Sequence, residues 1–80
     1  MLTRYIETAM KHANYEWLNE DDGYYGHIPE LRGVWATGST VNACAEELQE
    51  VLEDWISLGL AMHHEFPTID GVTIDIHAAA

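Results

Sequence analysis

The sequence predicts an α+β domain of order α-β-β-β-α-β: a three-stranded antiparallel sheet and a further strand, with one long helix packed on the sheet. Three patterns carry this. Residues 41–62 repeat apolar side chains at helical spacing, with acids between them. Residues 13–37 alternate in short runs broken by Asp-Gly, Pro and Gly, and residues 72–76 alternate again after Pro67.

Taken in order, Thr3 is placed to cap a short first helix, with Leu2, Tyr5, Ile6, Ala9 and Met10 at helical spacing. Ala13, Tyr15 and Trp17 then alternate with Asn14 and Glu16, the pattern of a half-buried strand. Asp22-Gly23 ends the polar run 19–23, and such a pair signals a hairpin because glycine tolerates positive φ. The return strand covers 24–28, with Tyr24, Gly26 and Ile28 on one face and Tyr25 and His27 on the other. Pro29 lacks a backbone donor and ends it. Leu31-Arg32-Gly33 makes a second turn and residues 34–37 a short third strand.

Thr40 is the expected N-cap of the longest element. Val41, Ala45, Leu48, Leu52, Trp55 and Ile56 form its apolar stripe, and Glu46, Glu47, Glu50, Glu53 and Asp54 its polar face. Gly59 falls late in this helix, where it either permits close packing or weakens the last turns. Val72, Ile74 and Ile76 alternate with Thr73, Asp75 and His77 in the last strand, and residues 78–80 form a frayed tail. The whole is one domain, 1–80, with no C-terminal DNA-binding domain expected.

Charge narrows the function. Fourteen Asp and Glu against three Lys and Arg give a net charge of −11. A field of that sign repels phosphates and anionic lipid, so direct nucleic-acid or membrane binding is not expected, and a basic partner is favoured. No apolar run reaches a membrane span, and the start lacks a signal-peptide core, so a cytoplasmic location is expected. A core this small leaves little net stability, which makes a homo-oligomer, a dimer or tetramer, an expected state.

Reactive constellations are thin. His63-His64-Glu65 resembles a metal or proton-transfer site, but adjacent helical residues point about 100° apart and need a third ligand from elsewhere. Glu20, Asp21 and Asp22 carry oxygens suited to a hard cation, yet the run is shorter than a calcium loop and reads as a turn. Cys44 falls beside the apolar stripe, where a small buried filler is expected. No catalytic residue, metal or cofactor is assigned.

The string YYGHIPELRGVWATGST, followed by a helix containing AEELQEVLEDWI, resembles the HicB-like antitoxin family. Tyr24, Tyr25, Gly26, Ile28, Pro29, Glu30, Leu31, Gly33, Val34, Ala36, Gly38 and Thr40 carry the likeness, with Leu48, Leu52 and Trp55 on the helix. Arg32 stands where the family commonly has Pro, and Asn42-Ala43 replaces acids common at the helix start. The resemblance implies a partial RNase H-like fold and a chain that neutralises HicA, a small basic mRNA-cleaving toxin, by covering its active site. Nuclease activity in the chain itself is not expected. That chemistry needs several convergent carboxylates and two metal ions, and the first strand offers only Glu16.

The expected role is therefore an antitoxin that binds a HicA-like ribonuclease. The expected contacts are the acidic strip Glu46, Glu47, Glu50, Glu53 and Asp54, or the aromatics Tyr25 and Trp35. Two alternatives stand beside it: an orphan oligomerisation module without a toxin, and a metal-dependent hydrolase built on the hairpin acids and the histidines.

Overall fold

The computed structural model describes residues 2–74, which form α1 (Leu2–Lys11), β1 (Asn14–Asn19), β2 (Gly23–His27), β3 (Trp35–Gly38) and α2 (Val41–Ala61). The three strands make one antiparallel sheet in the order β1-β2-β3. Helix, strands and long helix thus follow in the predicted order. Of the further strand, residues 75–77 lie outside the described residues. Its described part pairs differently: Val72 bridges Ile69 around a turn at Asp70-Gly71, with Gly71 at φ 76°.

The hairpin forms where Asp22-Gly23 places it. Gly23 takes φ 73°, and Asn19 braces the loop by accepting from the Asp22 N–H at 2.7 Å and donating to its carboxylate at 2.9 Å. The register shifts between Trp17 and Asn19, a bulge next to the turn.

The segment 28–34 is a folded staple between strands. Leu31 N–H donates to Ile28 O at 2.9 Å, Val34 N–H to Leu31 O at 3.3 Å, and Ile28 N–H to Val34 O at 3.3 Å. These bonds aim three side chains, Ile28, Leu31 and Val34, into the core, and all three are fully buried. Pro29, Glu30, Arg32 and Gly33 stay at the surface, so the backbone-shaping residues turn the chain while the aliphatic ones anchor it.

Thr40 caps α2 as expected, its hydroxyl accepting from Ala43 N–H at 3.0 Å. Cys44, Leu48, Leu52, Ile56 and Gly59 form the buried stripe. They pack on β2 and β3, with Tyr5 and Ala9 of α1 and Ile69 completing the core. Gly59 serves close packing: a β-carbon there would stand 2.7 Å from the Phe66 ring. That ring also meets Trp55 edge-on at 5.4 Å and Tyr5 at 6.4 Å.

Three sequence expectations change. Thr3 lies inside α1 rather than capping it, because the helix already includes Leu2. β1 is largely exposed instead of half-buried; α2 lies over β2 and β3, so β1 extends past its cover and Trp17 is 58% exposed. Val41 is exposed as well, although it lies on the apolar stripe.

One polar tether joins distant segments. His12, just after α1, reaches Glu30 through Nδ1 and Asp70 through Nε2, both at 2.7 Å. Ionised carboxylates only accept, so the two contacts together favour the ring that carries a proton on both nitrogens. Hydrogen bonds to Asp70 and then Glu30 hold its pKa above the ordinary histidine value.

Candidate partner-binding surface

All five acids of the α2 strip are exposed, as their helical spacing requires. At about 100° per residue they cover an arc of about 120° on the helix face turned from the sheet. No Lys or Arg interrupts α2. The three cations of the chain stand elsewhere, Arg4 and Lys11 on α1 and Arg32 in the β2–β3 loop. The strip is therefore unneutralised by its own helix. Gln49 donates to Glu53 at 3.1 Å, the sole side-chain bond made by a strip residue among the described residues.

Tyr25 and Trp35 share the open face of the sheet, opposite α2. Pairing in register places Gly26 and Ala36 on the helix side and Tyr25, His27, Trp35 and Thr37 on the other. Trp35 is 54% exposed and stacks on Tyr25 with centroids 6.1 Å apart, and Tyr25 stacks on His27 at 5.4 Å. The Nδ1 atom of His27 is enclosed and has no hydrogen-bond partner among the described residues. The alternation of the sequence sets Tyr25 and Trp35 on the strand faces opposite Tyr24 and Val34 without saying which face is covered, and the packing of α2 decides it. The helical period sets the acids opposite the apolar stripe.

The two candidate sets do not form one patch. The acids face outward from one side of the domain and the aromatics from the other. One member of each, Glu47 and Trp35, comes together at the outer side of β3, where a cleft of about 470 Å³ is lined by Gly33, Trp35, Ala36, Thr37, Glu47 and Val51. Sequence reasoning misses this cleft, because no pattern within β3 says that it is an edge strand. That follows from the strand order alone.

The remaining candidates lie apart from one another. Cys44 is fully buried, its thiol donating weakly to Ala36 O at 3.6 Å, and burial pushes its pKa up. Such a thiol is a poor nucleophile. Asp21 and Asp22 lie in the hairpin loop, and His63 and His64 are exposed where α2 ends, with His63 at φ 57°. Among the described residues, no three His, Cys, Asp or Glu side chains gather in a metal-holding group. None of the described helices is long and apolar enough to cross a membrane.

These features define a small α+β domain with α2 packed over β2 and β3 on one face of the sheet and aromatics exposed on the other. The chain belongs to the UPF0150-like family, whose model matches residues 4–67. It is similar in structure to TTHA0281 from Thermus thermophilus, known from a crystal structure, with a TM-score of 0.88 and 44% identity over 92% of this chain and 91% of that one. No curated protein matches the chain.

Proposed function

We propose that this chain is the antitoxin of a toxin–antitoxin pair, which binds a small basic HicA-like ribonuclease and covers its working surface without doing chemistry itself. The observation that carries the reading is the unneutralised acidic face of α2, on a chain of net charge −11. A surface of this kind attracts a cationic protein over long range and speeds its capture. Its membership of the UPF0150-like family fits the resemblance to HicB-like chains borne by the segment 24–40 and by Leu48, Leu52 and Trp55. A ribonuclease must hold a polyanion, so its active surface is basic, and a folded polyanionic plug competes for it directly.

Co-expression with a small basic reading frame adjacent to the gene tests this. A stable complex at low salt that loosens as salt rises supports the reading. Failure of the two proteins to co-purify at low salt removes it.

A further inference from the structure

Among the described strands β3 is outermost, and its outer side opens on the cleft beside α2. The Ile28 N–H bond to Val34 O sets the alternation of the β2–β3 ladder. It turns the N–H and C=O groups of Ala36 and Gly38 toward β2 and those of Trp35 and Thr37 outward. No described residue outside the sheet hydrogen-bonds those outward groups.

Edge strands are usually guarded by a charge, a proline or a bulge. β1 has two of these, Glu16 and the bulge between Trp17 and Asn19. β3 reads Trp-Ala-Thr-Gly and has none of these three, its only guard being its four-residue length. Its neighbourhood is instead shaped for an extended ligand: an exposed indole on the open face, Val51 on the helix side, and Glu47 as the one ionisable residue among those lining the cleft.

We propose that the β3 edge accepts an extended, basic segment of a partner protein as a fourth antiparallel strand. Main-chain bonds form to Trp35 and Thr37. A Lys or Arg opposite Ala36 points to the helix side, lays its aliphatic stem on Val51 and ends at Glu47. The alternate residues point to the open face and meet Trp35, where a second cation gains from the indole ring. A second copy of this chain suits the edge poorly, because pairing β3 with β3 brings two Glu47 side chains and two acidic strips to one seam. The inference rests on the reading of the chain as a binder of a basic protein, and it names the surface.

The test is amide chemical-shift mapping on the ¹⁵N-labelled chain. The probes are a capped peptide of alternating Lys and Val and a matched peptide of alternating Glu and Val. The basic peptide is expected to shift the Trp35 and Thr37 amides and the acidic one to shift neither. Thr37→Pro removes an outward N–H that the sheet itself does not use. It should weaken binding about tenfold, the loss of one main-chain hydrogen bond. Glu47→Lys, at an exposed helical position, should weaken it similarly with unchanged circular dichroism. Shifts confined to residues 46–54, or undiminished in both variants, overturn the edge assignment. So does a dimer of the free chain that Thr37→Pro abolishes, which makes a second copy the occupant. Any of these results leaves the co-purification test standing, whereas a failed co-purification with intact peptide shifts removes the antitoxin reading alone.

Discussion

The ring of Phe66 rests on α2 at Gly59, so near that a β-carbon on Gly59 would stand 2.7 Å from Cζ. The contact closes the far end of the core, with Trp55 and Tyr5 around the same ring. Tyr5 also donates to Pro67 O at 2.7 Å, fixing the chain on the far side of Phe66. A feature that would ordinarily weaken a helix here is what admits the segment that follows it.

Gly59→Ala therefore sets two effects against each other. The helix gains about 1 kcal/mol in propensity. The Phe66 ring, wedged between Trp55 and Tyr5, must move, and overpacking costs about 1–3 kcal/mol. The net expectation is a loss of about 1 kcal/mol, read as a lower urea midpoint with unchanged slope. A higher midpoint means that the ring moves freely and the contact is loose.

Gly38→Ala should cost more, about 3 kcal/mol, because the new β-carbon would meet the backbone of Cys44 at the start of α2 rather than a side-chain tip. Cys44→Ala in the same chain should not rescue it, since the obstructing atoms are main-chain. Rescue would show that the thiol, not the backbone, sets the distance between β3 and α2.

His12 gives the stability a pH dependence of known sign. Its pKa is raised in the fold, first by the bond to Asp70 and then by that to Glu30. The stabilisation is fully present below the unfolded histidine pKa of about 6.5 and is lost as pH rises through the higher folded value. The urea midpoint of the parent minus that of His12→Gln should thus fall from about pH 6 toward about pH 9. A difference that is flat with pH would mean that the ring is not charged in the clamp.

The buried thiol of Cys44 should resist alkylation by iodoacetamide in the native chain and react on unfolding in urea. Rapid native labelling would show that the seam between β3 and α2 opens readily.

Local signals make much of this fold readable in advance. Pro29 ends β2, Asp22-Gly23 turns the hairpin and Thr40 caps α2 because each acts on its own backbone within a few residues. The acids of α2 are readable for the same reason, since the helical period sets them opposite the apolar stripe; strand alternation groups Tyr25 and Trp35 by face, but only the packing of α2 makes that face the open one. What depends on placement between elements is not. Trp17 alternates like a buried residue, yet α2 does not reach over β1. Val41 continues the apolar stripe in the sequence, yet it is exposed. Glu30 and Asp70 lie 18 and 58 positions from His12, and no period links them. The β3 cleft likewise exists only because β3 is outermost.

The most direct measurement is RNA cleavage by a small basic HicA-like ribonuclease encoded beside the gene, titrated with this chain at low salt. Cleavage should fall in proportion to added chain and stop at a fixed stoichiometry. A chain in which Glu46, Glu47, Glu50 and Glu53 are glutamine and Asp54 is asparagine should need a marked excess to reach the same point. Cleavage that continues unchanged in excess of the folded parent chain contradicts the account.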